Sequence, residues 1–329
     1  MVLPSRPSVF DARYLRRLVG TKVTTFYDLD PLKQPPAASS SASDNSPFTA
    51  PPPGGSPPAA SPPPASLATD PLAPASPTTG SLTTASPTTA PTLSFSDSPP
   101  PETGRSWIIT EKLSERADHL SQDEVDMSAG SPQTVGKFLC HSEEDPTLVA
   151  FMRIYYQIPI TGTEDADLAT LAQQIQPPEV CGELEAYKAL MSQSCSSVPR
   201  FLGYSERKQE EHELVPGGYV KYLVWEKVPG DSLTKEFFWS LDPPVRADIR
   251  AKFRAAYEEV LRCGVQPQES RTSKIIYDQS TGNVRISGFR TSWPILDELQ
   301  WSDTRYVAYM LAKRPDERDW SSHPEKWEL

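Results

Sequence analysis

Residues 33 to 104 place the strongest limit on what this 329-residue chain can fold into. The run from Pro31 to Pro101 holds 20 of the 36 prolines, and part of it reads APPPGGSPPAASPPPAS. Proline has no backbone N–H to donate to a helix or a sheet, and the tract offers few side chains to bury. We therefore predict a disordered Pro/Ser/Thr/Ala-rich linker here, an N-terminal segment over 1–32 and a folded domain over 105–329.

Charge and composition exclude several classes of protein. The net charge is −11, and an acidic chain repels the nucleic-acid backbone, so we expect no general nucleic-acid binding. The sequence contains no run of about 18 apolar residues, so no membrane span is predicted. The first twenty residues lack the apolar core of a signal peptide. The four cysteines form no C-x-x-C pair. We expect an intracellular protein, cytoplasmic or nuclear and not secreted, with protein partners and with no metal or other cofactor.

Hydrophobic periodicity predicts a mixed α+β domain. Residues 8–20 have the pattern of a short amphipathic helix. The segment that begins at Trp107 fits either a helix or a strand followed by a helix. Further along the chain the patterns predict strands over 148–158 and 217–228, helices over 177–193, 243–264 and 303–313, and a hairpin made of SKIIYD and NVRISGF. Strands dominate the first half and helices the second, which indicates an α+β layout in two lobes.

Several short motifs follow one another in the order found in protein kinases. They are YLVWEKVPGDSL at 222–233, the long helix over 243–264, CGV, SKIIYD and WSDTRYV. In this set the chain resembles the protein-kinase fold, and it is similar to a group of short, divergent kinase-like proteins of fungi. The resemblance covers about residues 136–329. It implies a reduced two-lobed protein-kinase-like fold, with a small lobe over about 105–228 and a large lobe over about 229–329.

The resemblance implies a set of nucleotide-binding residues. The strand and turn at 222–233 are similar to the kinase hinge, with Trp225 as gatekeeper and the backbone of Glu226 to Val228 facing adenine. Arg153 takes the place of the phosphate-binding lysine on its strand. Glu183 takes the place of the helix glutamate that pairs with that lysine, with Glu185 as the alternative.

The same alignment implies a degenerate catalytic loop. Phosphoryl transfer needs a cation on the phosphates, carboxylates on magnesium and a base for the nucleophile. Glu269 takes the catalytic aspartate's place and is the candidate base, whereas Lys274 takes the place of the metal-binding asparagine. Gly288, in SGFRT, takes the place of the metal-binding aspartate. Asp278 and Asp297 are the nearest acids in sequence, and Asp278 has the position of a turn residue.

These losses favour a catalytically inactive, pseudokinase-like domain that acts as a binding or regulatory module. One alternative is an atypical phosphotransferase that uses ATP and magnesium, with Glu269 as base and with Arg153 and Lys274 holding phosphate. Another is a soluble α+β interaction domain unrelated to kinases, in which the hinge match is a coincidence. Residues 131–147 hold one glycine where the family has a glycine-rich loop. Inactivity is favoured because one transition state would lose its lysine, both metal ligands and this loop.

Overall fold

The computed structural model describes residues 14–27, 104–177, 180–295 and 299–329. The described residues belong to one compact unit. Antiparallel sheets and helices both contribute to it, so the prediction of a mixed α and β fold is confirmed. The predicted linker over 33–104 lies outside the described residues, apart from its last residue.

Six antiparallel strands form the larger of the two sheets in the described part of the chain. Numbered in chain order, they are Lys22–Thr25 (β1), Arg105–Asp118 (β2), Gln133–Ser142 (β3), Val149–Gln157 (β4), Phe201–Lys208 (β5) and Tyr219–Glu226 (β6). Across the sheet the order is β1-β2-β3-β4-β6-β5. The predicted strands over 148–158 and 217–228 are therefore confirmed, and the segment from Trp107 is a strand rather than a helix. Strand β3 was not predicted.

A second, three-stranded sheet and six helices complete the described fold. The small sheet consists of Asp231–Ser232 (β7), Ile275–Asp278 (β8) and Asn283–Ile286 (β9), in that order. The helices are Gln122–Asp126 (α1), Leu168–Ala172 (α2), Gly182–Ser192 (α3), Lys235–Ser240 (α4), Pro243–Arg262 (α5) and Thr304–Ala308 (α6). The predicted hairpin is confirmed as β8 and β9.

The two faces of the six-stranded sheet bury different sets of side chains. Because side chains alternate along a strand, Met152 and Tyr156 of β4 point to one face while Arg153 and Tyr155 point to the other. The first face is covered by Leu15 and Leu18 and carries an apolar cluster of its own. The second face packs against helix α3 and belongs to the largest apolar cluster, which also includes residues of α5. Arg153, one of the candidate nucleotide-binding residues, lies on this second face.

The N-terminal segment joins the sheet instead of forming the predicted helix. In place of a helix over 8–20, its described part has a single 3-10 turn, Arg16–Leu18, followed by edge strand β1. The prediction is wrong for residues 14–20, and residues 8–13 lie outside the described residues. The reason is tertiary: the Gly20 N–H donates to the Ile109 carbonyl of β2 at 2.7 Å, which directs the chain into the sheet.

Helix α5 is the longest helix and forms where its sequence pattern predicts. Pro243 opens it, where a missing N–H does no harm, and Gly264 follows its end with a left-handed φ of +72°. Its buried face includes Ile249, Phe253 and Tyr257. Two other predicted helices are shorter than expected. Helix α3 begins at Gly182 rather than at residue 177, and α6 spans only Thr304–Ala308 of the predicted 303–313.

A column of aromatic rings ties the sheet to the C-terminal half of the unit. The Tyr187 ring of α3 stacks on Phe201 of β5, with ring centroids 5.1 Å apart. On its other side Tyr187 meets Phe289 edge to face at 5.6 Å, just beyond β9. All three side chains are buried. The column fixes α3 against both the sheet and the segment that carries Gly288.

Candidate functional site

The second face of the six-stranded sheet holds a buried ion pair between β4 and α3. The Arg153 guanidinium contacts the Glu183 carboxylate, and the two side chains are 12% and 1% exposed. The Tyr155 hydroxyl donates to the other Glu183 oxygen at 2.7 Å. Burial acts to lower the pKa of Arg153, but the Glu183 carboxylate outweighs it and holds the pKa above its usual value. Of the two candidate glutamates, Glu183 meets the cation. Glu185 instead lies near Lys188.

Trp225 forms an aromatic wall beside this ion pair. The Arg153 guanidinium carbon lies 5.1 Å from the centre of the Trp225 ring, and the Phe151 and Tyr187 rings lie 6.1 and 6.0 Å away. Trp225 is only 5% exposed. Trp225 therefore lies near the end of a strand, as predicted. Its packed ring narrows the space beside the second face of the sheet.

The backbone after Trp225 is only partly available for a ligand. The Glu226 N–H donates to the Arg200 carbonyl at 2.9 Å, and the Glu226 carboxylate accepts from the Arg200 N–H at 3.3 Å. Among the described residues, no hydrogen bond engages the backbone N–H or carbonyl of Val228. Of the backbone groups that the resemblance implies, those of Val228 are left for a ligand, whereas the Glu226 N–H is already used.

A second ion pair lies where the resemblance places the catalytic loop. The Lys274 Nζ and the Glu269 Oε2 are 2.6 Å apart, and both side chains are about a quarter exposed. Burial raises the pKa of Glu269, but the Lys274 hydrogen bond and charge, with Arg271 and Arg153, lower it more, so the pKa lies below its usual value. The carboxylate is ionised at neutral pH, and its charge is already engaged by the ammonium.

Gly288 lies directly against the Lys274 side chain. Its backbone has a left-handed φ of +87°, and a Cβ atom there would come within 2.4 Å of the Lys274 Cδ and 3.1 Å of its Nζ. The Ser287 N–H donates to the Lys274 carbonyl at 2.8 Å, which holds the two segments together. The Lys274 side chain therefore fills the space that a side chain at position 288 would occupy.

The nearby acids do not replace that carboxylate. Asp278 accepts hydrogen bonds from the Ser280 N–H at 3.0 Å and from the Thr281 hydroxyl at 2.6 Å, so it stabilises the turn between β8 and β9. Asp297 lies outside the described residues. Within the described ranges, no group of three or more His, Cys, Asp or Glu side chains is arranged to hold a metal ion. The described cysteines are all free thiols.

A pocket opens beside these two ion pairs, and its wall includes a lysine that sequence reasoning missed. The pocket has a volume of about 180 Å³. It is lined by Lys137, Phe151, Pro199, Trp225, Glu226, Lys227, Val228, Gly230, Asp231, Ser232, Ile276 and Ser287. Lys137 is the missed residue: it lies on β3 directly opposite Arg153 of β4. Only the strand register reveals this, because nothing in the sequence around Lys137 indicates which residue of β4 it faces.

Comparison with known proteins gives a distant structural likeness. A solved structure of a kinase, PK-1, of Cydia pomonella granulovirus is similar to this chain at 10% identity and a TM-score of 0.35. The similarity covers 61% of this chain and 60% of the viral chain, less than two thirds of that protein's length. No protein-family model matches the sequence, and no curated protein matches it. Membership of a fungal kinase-like group stays a prediction.

No helix in the described residues is both long and apolar enough to cross a membrane.

Proposed function

We propose that this chain is a catalytically inactive, kinase-like domain that acts as a binding or regulatory module, with a reduced two-lobed fold. The proposal is supported by the way the expected pieces lie together. A strand cation, Arg153, meets the helix carboxylate of Glu183, an ion pair of the kind that protein kinases require. Glu269, Lys274 and Gly288 lie together as the resemblance to a catalytic loop and a metal-binding segment implies.

The observation that carries inactivity is the position of Lys274. Its ammonium pairs with Glu269 and packs on Gly288, so a cation of the protein lies where magnesium would have to bind. Magnesium needs oxygen ligands, and Gly288 supplies no side chain to provide one. A divalent ion at this point would also be repelled by the ammonium. The residues do not fit a magnesium ion, so no phosphoryl-transfer step is assigned to them.

The proposed partners are proteins. The net charge of −11 disfavours nucleic acid as a general partner, and a domain without turnover acts through what it binds. The proposed location is intracellular, in the cytoplasm or the nucleus. ATP with magnesium belongs only to the alternative phosphotransferase.

We expect the 329-residue chain to transfer no phosphate from ATP in the presence of magnesium or manganese. The measurement is autophosphorylation and ATP hydrolysis by the wild type beside the Glu269→Gln variant, which removes the candidate base. The expected result is the same background signal from both proteins, since the metal ligands that lower the barrier are missing.

Metal-dependent turnover that disappears in Glu269→Gln would reject the proposal and favour the atypical phosphotransferase. A thermal-shift titration with ATP adds a second measurement, because a ligand that binds only the folded state must raise the melting temperature. A shift that requires magnesium would likewise count against an inactive domain. A shift that persists in EDTA would agree with it.

A further inference from the structure

Lys137 places a positive charge at the wall of the pocket that it shares with Trp225 and Val228. It belongs to β3, where its Cα lies opposite that of Arg153 on β4 and that of Ser114 on β2. Its Nζ lies 3.9 Å from the centre of the Phe151 ring, over the ring face. Lys137 and Phe151 both line the pocket of about 180 Å³. The Phe151 ring therefore holds the Lys137 ammonium at the wall of this pocket.

The cations around Lys137 are already paired, whereas Lys137 is not. Arg153 is in contact with Glu183, and Lys274 is in contact with Glu269. Among the described residues, no carboxylate oxygen lies within the 4.0 Å of an ion pair from the Lys137 Nζ. Together these five side chains carry three positive and two negative charges. The excess positive charge resides on Lys137.

The surroundings of Lys137 disfavour its charged form. Burial is the largest cause that lowers its pKa to about 8, and the charges of Arg153 and Lys274 lower it further against the opposing carboxylate of Glu183. The other charged residues of the pocket wall are Glu226, Lys227 and Asp231. Glu226 is engaged by the Arg200 N–H, and Asp231 is exposed to solvent, so neither offsets the charge of Lys137. A bound anion would relieve this unfavourable charge.

The size of the pocket limits the anion. Pockets for drug-sized ligands measure roughly 300–1,000 Å³. At about 180 Å³ this pocket is smaller, so it suits a small oxyanion better than a whole nucleotide. Ser232 and Val228 also line it, and a hydroxyl and a backbone N–H are further donors to an oxyanion.

We propose that Lys137, rather than Arg153, is the anion-binding residue of this pocket, and that it takes a small phosphate-class oxyanion without a divalent cation. This inference deepens the proposed function. It rests on the proposed function in one respect: an inactive domain that is regulated by such a ligand needs no magnesium. In the alternative phosphotransferase, Arg153 and Lys274 hold the phosphate, but each of them is paired with a carboxylate of the protein.

Titration of the 329-residue chain with sulfate and with inorganic phosphate, in EDTA and at constant ionic strength, tests the proposal. Sulfate keeps its charge across the range, so its pH dependence reports on the protein. We expect saturable binding whose affinity for sulfate falls about tenfold between pH 7 and pH 9, because the protonated fraction of an amine with a pKa of about 8 falls by about that factor. An ordinary lysine would stay protonated over this range.

Two substitutions at Lys137 separate its charge from its titration. Lys137→Met should weaken both anions by at least about tenfold, since the charged donor is gone. Lys137→Arg should keep the binding but lose the pH dependence, because arginine stays charged. Lys252→Met is the matched control: Lys252 lies on the outer surface of α5 and pairs with Asp248, so anion affinity should not change.

Two results would overturn the proposal: no saturable binding, or an unchanged affinity in Lys137→Met. A flat pH profile in the wild type would show that the pKa of Lys137 is not lowered, and the comparison of the wild type with Lys137→Met would then decide whether the anion site exists. Circular dichroism of each variant shows that it has folded. Failure here and failure of the proposed function are distinguishable. Unchanged anion binding in Lys137→Met with no phosphate transfer rejects only the anion site, whereas metal-dependent transfer rejects the inactive domain whatever the anion result.

Discussion

Replacing Glu183 with alanine is expected to lower the free energy of unfolding by about 3–5 kcal/mol, because it leaves the Arg153 guanidinium buried without its carboxylate. Arg153 is 12% exposed, so water cannot fully replace the lost partner. The Tyr155 hydroxyl loses its acceptor as well. An unpaired charge and an unpaired hydroxyl then share one part of the interior, and both carry a desolvation penalty.

Urea denaturation followed by circular dichroism measures this loss. Glu185→Ala is the matched control on the same helix, since Glu185 is 39% exposed and lies 3.2 Å from Lys188 in an exposed pair. Exposed pairs contribute little, so this variant should lie within about 0.5 kcal/mol of the wild type. Equal losses in the two variants would show that α3 is sensitive to any change and that the buried pair has no special role.

A double variant distinguishes the penalty of an unpaired charge from the net value of the pair. Replacing a whole buried ion pair by apolar side chains is often neutral, whereas removing one partner is strongly destabilising. The double variant, Arg153→Met with Glu183→Leu, should therefore have a higher free energy of unfolding than Glu183→Ala alone. If the double variant is instead less stable than Glu183→Ala, the pair itself contributes net stability.

Local signals in the sequence locate several elements well. The run of β-branched and aromatic residues over 148–158 predicts a strand, and β4 occupies Val149–Gln157. The proline start, the apolar face and the glycine end of α5 place it to within two residues at its C-terminal end. Each of these signals lies within the segment itself, so no knowledge of the remaining chain is needed to use it.

Elements whose hydrogen bonds go to distant residues could not be located in this way. Strand β3 contains Gly136 and Lys137, which are not typical strand residues, yet it is paired on both sides by β2 and β4. The segment around Leu15 and Leu18 has a helical pattern, but its apolar side chains are buried against the first face of the six-stranded sheet. Tertiary pairing overrides local propensity in both cases.

The resemblance to protein kinases names candidate positions for the site but not their contacts. It gives Arg153, Glu183, Glu269 and Lys274, and the first pair is separated by thirty residues of chain. Whether two such charges neutralise each other depends on the strand register and on the packing of α3. Lys137 was missed for the same reason, because its place beside Arg153 is a property of the sheet and not of its own neighbours in sequence.

Gly288→Ala is expected to destabilise the protein by about 1–3 kcal/mol, the sum of two effects. A side chain at a left-handed φ of +87° costs about 1–2 kcal/mol. The new Cβ would also lie 2.4 Å from the Lys274 Cδ, so the lysine must move and give up its contact with Glu269 at 2.6 Å. A partly exposed pair of this kind contributes up to about 1 kcal/mol.

Gly162→Ala isolates the first effect, since Gly162 has a φ of +92° and no neighbouring atom within 4 Å of the added Cβ. Its loss should be the backbone strain alone, about 1–2 kcal/mol. In a Lys274→Ala background the loss at Gly288 should fall to that same value, which gives a coupling of about 1 kcal/mol between two residues in contact. Independent losses at Gly288 and Lys274 would mean that the ammonium does not lie on Gly288. The proposal of an inactive domain would then lose the contact of Lys274 that supports it.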